Sequence, residues 1–188
     1  LIKGARVYLE KCPKSNRKTC YDLISVYKNG RLINMDAQAP NTVAFESVSS
    51  LDILKSGENI LQIRREKTYK TSRFDIYMET TKRKIFIEVK GVTLEQNNIV
   101  LFPDAPTQRG IKHIKELMDA AEAGFGAYMI FIVQMRGADA FSPNYERHKE
   151  FGEALKEASA SGVNIAAYDC EVTPESIALK DKVKILLD

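Results

Sequence analysis

Four absences bound what this chain can be. No uninterrupted apolar stretch approaches the roughly 18 residues that a membrane-crossing helix requires. No signal-peptide pattern is visible either, so neither a membrane span nor a secreted protein is expected. Cys12, Cys20 and Cys170 are an odd number without the close spacing of a metal site. Free thiols in a reducing, cytoplasmic setting are the reading. Internal repeats and low-complexity tracts are also missing. What remains is 188 residues, 44% hydrophobic and 28% charged, an ordinary soluble mixture long enough to bury a sizeable core.

The charge is unevenly spread. The total of +3 decides nothing, but residues 1–31 hold eight Lys/Arg against two Asp/Glu, and residues 64–84 hold eight against three. Two basic segments on an otherwise acidic body fit a polyanionic partner. Lysines and arginines that only solubilise exposed strands would look the same. Tyr8, Tyr21, Tyr27 and Tyr69 interleave with these charges and could stack on bases, although strand tyrosines are more often packing residues.

The segment SRFDIYMETTKRKIFIEVKGV, residues 72–92, carries the densest chemistry. RFDIYMET and KIFIEVK are rich in strand formers, and TTKR between them is a polar turn, so a β-hairpin is predicted. An even-numbered loop centred between Thr81 and Lys82 sets Glu79 opposite Lys84, Tyr77 opposite Phe86 and Asp75 opposite Glu88. Alternation then puts Lys90 on the face of Glu88. Opposed carboxylates repel, and a hard divalent cation would reward the arrangement. An odd-numbered loop would move Asp75 to the other face, and a solvated face of alternating charges remains the plain alternative.

The flanking segments place this hairpin in an α/β order. APNTVAFESVSSLDILKSG reads as one helix entered at Pro40 and left at Gly57, with Glu46 able to point at the acidic end of the hairpin. NILQIRREKTY reads as a strand. A Pro-punctuated loop follows the hairpin, with Asp104 fixing a turn or helix entry. Thr107 then caps a helix whose stripe is Ile111, Ile114, Leu117 and Ala121, stopped at Gly124. Arg109, Lys112 and His113 fall on one face of it, beside that stripe, where they could meet phosphates. GAYMIFIVQM is a doubly buried strand ending at Gln134. NYERHKEFGEALKEASASG is an amphipathic helix with His148 exposed, and VNIAAYDCEV and KVKILL close the chain as strands.

Helix, three-stranded meander, helix and strand, with Asp on the second strand and Glu-x-Lys on the third, resemble the restriction-endonuclease-like fold and its PD-(D/E)xK site. NRKTCYDLISVYKNG, APNTVAFE, SRFDIYME, FIEVKGVTL, FPDAPTQRGIKHIKEL and VQM, in that order, resemble the sugar fermentation stimulation protein A family. That resemblance implies an α/β fold: a restriction-endonuclease-like mixed sheet flanked by helices over residues 39–188. Before it, residues 1–38 would be a partial OB-like β domain, whose upstream part is expected to lie before Leu1.

The resemblance also implies DNA as the partner, bound with little sequence choice, and a link to genes of sugar use. Asp75, Glu88 and the Val89 carbonyl would hold Mg²⁺ or Mn²⁺, Lys90 would position the attacking water, and Glu46 would assist. Arg6, Lys11, Arg17, Lys18, Arg73, Arg109, Lys112 and His113 are the expected DNA contacts. The alternative is a catalytically inactive DNA-binding regulator. No membrane partner is expected. The oligomeric state stays open, with a homodimer among the options.

Overall fold

The run GAYMIFIV, residues 126–133, is buried at every position, because its strand has neighbours on both edges and a hydrophobic layer on both faces. A computed structural model describes residues 3–12 and 19–188. The amino-terminal strands are β1 (Val7–Lys11), β2 (Tyr21–Lys28) and β3 (Arg31–Asn34), followed by helix α1 (Ala39–Glu46). The meander is β4 (Ile60–Tyr69), β5 (Ser72–Thr80) and β6 (Lys84–Val92). After it come β7 (Leu94–Gln96), β8 (Ile99–Phe102), α2 (Gln108–Glu122) and β9 (Gly126–Val133). The chain continues through β10 (Ala140–Pro143), α3 (Lys149–Ala160), β11 (Asn164–Val172) and β12 (Ile177–Ile185).

The fold is α/β, with a small antiparallel sheet β1-β2-β3 beside a mixed sheet ordered β4-β5-β6-β9-β11-β12-β10-β8-β7. Strands β6, β9 and β11 run parallel, while β4-β5-β6 and β11-β12 pair antiparallel. Under α2 and α3, one face buries Phe74, Phe86, Leu117, Phe131 and Phe151. The other buries Val43, Ile53, Ile76, Ile87 and Ile130 beneath α1. Each such side chain contributes on the order of 1.5–3 kcal/mol of transfer free energy.

Four elements depart from the expected ones. The first helix ends at Glu46 instead of running to Gly57, and a short 3₁₀ turn follows at Val48–Ser50. Ser47, Ser49 and Ser50 favour local side-chain bonding over helix, and Leu51 and Ile53 turn back into the core. The loop after the hairpin holds strands β7 and β8. They are joined by Asn97 and Asn98, both at positive φ, as a primed two-residue hairpin turn requires. Strand β10 is a third unexpected strand, lying between β12 and β8. His148 is buried, accepting from the Thr107 N–H at 3.2 Å, because it packs under the start of α2.

The cap and the stop of α2 are the ones read from the sequence. Thr107 Oγ1 accepts from the Gly110 N–H at 3.0 Å and caps α2, and Gly124 ends that helix region at φ +86°. No helix among the described residues is long and apolar enough to cross a membrane. Cys20 and Cys170 are free thiols, and burial pushes the Cys170 thiol up to about 12.

The small sheet is tied to the large one through buried polar bonds. Asn34 N–H donates to the Gln134 carbonyl at 2.8 Å, and Gln134 Nε2 donates to Asn34 Oδ1 at 2.8 Å and the Asp36 carbonyl at 3.0 Å. Gly91, the residue after Lys90, is what allows this closeness. A Cβ there would lie 2.5 Å from Gln134 Oε1 and 2.6 Å from Pro40 Cγ. Gly91→Ala is therefore expected to destabilise the protein by about 1–3 kcal/mol, seen as a melting point lower by roughly 3–10 °C. An unchanged melting point would show that Pro40 and Gln134 yield freely.

Candidate functional site

The β5–β6 register is the one read from the sequence: Ile76 faces Ile87, Tyr77 faces Phe86 and Glu79 faces Lys84. The last backbone bridge is Ile76–Ile87, and the strands part at the next position, where Asp75 and Glu88 stand. Asp75 replaces the missing ladder bond with its side chain. Its Oδ2 accepts from the Val89 N–H at 2.8 Å, and its Oδ1 accepts from Asn41 Nδ2 at 2.9 Å. A residue's N–H and C=O share one edge of an antiparallel strand, so the Val89 carbonyl faces the same opening. Glu66, across β4 from this point, has φ 56°, so the meander is irregular on both sides of Asp75.

Glu88 is only 1% exposed. Its Oε1 accepts from Lys90 Nζ at 2.5 Å and is also hydrogen-bonded to His113 Nδ1. Its Oε2 is buried with no hydrogen-bond partner among the described residues. Helix α2 brings His113 there because Gly110, His113, Ile114, Leu117 and Ala120 form its buried stripe. Glu116 of the same helix accepts from Thr71 Oγ1 at 2.5 Å and the Ser72 N–H at 2.8 Å, fixing α2 to the start of β5.

The two acids are pushed apart in their proton affinity. Burial, and then the negative charge of Glu88, push Asp75 up to about 6, against the Val89 N–H, the Lys90 charge and the Asn41 amide. Burial also acts to raise Glu88, but the His113 hydrogen bond and the Lys90 charge outweigh it and hold that carboxyl below the usual range. Glu88 is thus the ionised member, and Asp75 is the one that titrates near neutrality. With the Val89 carbonyl they are the residues that could hold a hard cation, which takes oxygen ligands from few carboxylates plus water and phosphate.

The other expected site residues are dispersed. Glu46 is exposed at the end of α1 and makes no hydrogen bond or ion pair with Asp75, Glu88 or Lys90 among the described residues. Arg109 and Lys112 are exposed on α2, with Lys112 Nζ donating to the Thr71 carbonyl at 3.1 Å. His113 does not share their solvent face: it is 4% exposed and turned to Glu88. Arg73 is exposed on β5, 3.4 Å from Glu66. Arg6 lies over the Tyr27 ring at 5.6 Å, and Lys11 is exposed on β1. Arg17 and Lys18 lie outside the described residues. Tyr69 packs on Phe86 and Phe125 and is a core residue, whereas Tyr21 is 52% exposed.

Asn41 was not among the expected residues. Its signal is its place in the first turn of a helix entered at Pro40, beside the acid it holds. Asp104 is exposed in the bend before α2, and Gln134 is committed to Asn34 and Asp36.

The raised Asp75 fixes a sign. Between about pH 4 and pH 6 the folded protein retains a proton that the unfolded chain has released. Stability from this group is therefore full below pH 4 and is lost as the pH rises through 6. In chelator, the stability of Asp75→Asn relative to wild type should therefore rise by roughly 3 kcal/mol between pH 4 and pH 7, on top of a pH-independent loss, because its Nδ2 cannot accept and the Val89 N–H and the Asn41 amide cannot both keep an acceptor. Denaturant unfolding at several pH values reads it, and a wild-type-to-variant difference that stays flat from pH 4 to 7 contradicts it.

Comparison with known proteins agrees with this architecture. A family described as the sugar fermentation stimulation protein RE domain matches residues 38–176, and the SfsA N-terminal OB domain matches residues 1–35. A sugar fermentation stimulation protein homolog of Clostridium beijerinckii is 50% identical over 187 residues, 100% of this chain and 81% of that protein. One from Ruminiclostridium cellulolyticum is likewise 50% identical over 187 residues, with the same shares, 100% and 81%. The structure of Pyrococcus furiosus SfsA in complex with Ca²⁺ superposes with a TM-score of 0.80 at 30% identity, covering 96% of this chain and 77% of that one. Matched along both sheets and half identical to relatives across its length, the chain belongs to the sugar fermentation stimulation protein family.

Proposed function

We propose that the protein binds DNA through its basic strands, with little sequence choice, and cleaves phosphodiester bonds at Asp75, Glu88 and Lys90. One observation carries the cleavage reading: Glu88 Oε2 is a buried, charged acceptor without a partner, next to a second acid. Leaving such an atom unsatisfied costs about 1–3 kcal/mol or more, and a divalent cation between the acids would satisfy it. The donor set of Asp75, Glu88 and the Val89 carbonyl suits Mg²⁺ or Mn²⁺ in the PD-(D/E)xK manner, and the related archaeal protein is described with Ca²⁺.

When bound, the ion would polarise a phosphoryl oxygen and supply a water of lowered pKa. The chain's own groups do the rest. Lys90, paired with Glu88 at 2.5 Å, sets an ammonium beside the acids, where it can stabilise charge developing on a phosphate. Asp75, anchored by Asn41 and the Val89 N–H, keeps its carboxylate in the opening between the strands. Arg109 and Lys112 on α2 and Arg73 on β5 supply positive charge around it for flanking phosphates, and Arg6 and Lys11 extend that charge to the small sheet. Glu46, exposed as it is, is left an outer role on water or on the ion's hydration shell.

A regulator that binds DNA without cutting it is the second reading. It is favoured by the Lys90–Glu88 ion pair, which already neutralises the acid most ready to bind a cation.

Retention and cleavage of single- and double-stranded DNA, each with Mg²⁺, Mn²⁺ or chelator, separate the two. Wild type should retain DNA in chelator and cleave it only with a cation. Glu88→Gln should retain but not cleave, and Lys90→Met should lose cleavage while still binding the cation. On duplex DNA, replacing Arg6 and Lys11 with alanine should lower the slope of log affinity against log salt by about 2, near 0.9 for each phosphate that is no longer neutralised. Retention without cleavage under every cation leaves the regulator, and no retention at all removes both readings.

A further inference from the structure

We infer that His113 is a positioning residue that divides the two oxygens of Glu88, donating from Nδ1 to one of them and leaving the other for a cation. The inference rests on the reading of Asp75 and Glu88 as a cation site. Two donors, Lys90 Nζ and His113 Nδ1, converge on Oε1, while Oε2 of the same buried carboxylate has none. A carboxylate held by one oxygen cannot rotate to offer either, so Oε2 is the atom left for a cation.

The direction of the His113 bond follows from its other side. Arg109 Nε lies 3.4 Å from His113 Nε2. A guanidinium N–H can only donate, so Nε2 carries the lone pair and the ring hydrogen is on Nδ1, aimed at Glu88. The opposite tautomer would set an N–H against Arg109 and a lone pair against a carboxylate oxygen, both repulsive. Packing fixes the ring as well: Phe74, which precedes Asp75, meets it edge-on at 6.0 Å and 74°. Glu116 pins the same helix to Thr71 and Ser72. An exposed arginine, a buried histidine and a buried glutamate thus form one line, in which the arginine and the carboxylate both agree with hydrogen on Nδ1.

Partners of this kind govern the affinity of the ligands they orient, typically by 10–100-fold. Two measurements on the full chain test it. Calorimetric Mn²⁺ titration should show His113→Ala and His113→Gln weakened 10–100-fold. His113→Asn, whose Nδ2 falls where the ring Nδ1 was, should stay within about threefold of wild type, a rescue that bulk alone would not give. In cation-free solution, ¹⁵N spectra of the two histidines should show His113 with hydrogen on Nδ1, a wild-type readout that needs no variant to fold.

Wild-type Mn²⁺ affinity in His113→Ala, an asparagine variant no better than alanine, or hydrogen on Nε2 in wild type would each overturn the inference while leaving the site reading intact. If wild type binds no Mn²⁺, the site reading fails and this inference falls with it.

Discussion

Burying the charge of Glu88 is the constraint around which the rest is arranged. A carboxylate taken out of water costs several kcal/mol unless it is paired and hydrogen-bonded. Here Lys90 comes from the same strand, and His113 arrives on a helix docked for the purpose by Gly110 and Glu116. The compensation is one-sided. Because both donors reach Oε1, the carboxylate stays ionised while its second oxygen goes unmet. Asp75 then feels burial and that charge together, and its proton affinity rises. A site that is costly when empty has favourable free energy available for binding a cation.

The meander was legible because its chemistry is local. Strand formers around a polar turn define one register, and the side-chain period of two carries Asp75, Glu88 and Lys90 to one end of the hairpin. The cap at Thr107 and the apolar run of β9 were legible for the same reason. Strands β7, β8 and β10 were not, since each has only three or four residues, and prolines end or follow two of them. Their pairing belongs to the completed sheet. The extent of α1 was overread because apolar residues at helical spacing continue past Ser47, while Leu51 and Ile53 reach the core without helix.

Within the site, His113 was legible as a residue of α2 but not as a partner of Glu88. Its spacing from Arg109 and Lys112 suggests a shared basic face. The buried series Gly110, His113, Ile114 and Leu117 places it inside the apolar stripe instead. The distinction depends on a few tens of degrees around a helix, and only the docking of α2 on β5 resolves it. Gln134 is similar: it follows the end of β9, and only the folded chain shows that its amide joins the small sheet to the large one.

The acids at the open end of β5 and β6 stand or fall as a cation site whose inner ligand is Glu88 Oε2. Crystals grown without divalent ions and then soaked in Mn²⁺ test this directly through the anomalous signal of the ion. One strong peak is expected between Asp75 and Glu88 Oε2, with His113 still on Oε1. A peak bound to Oε1, one elsewhere on the surface, or none at a saturating soak would contradict it.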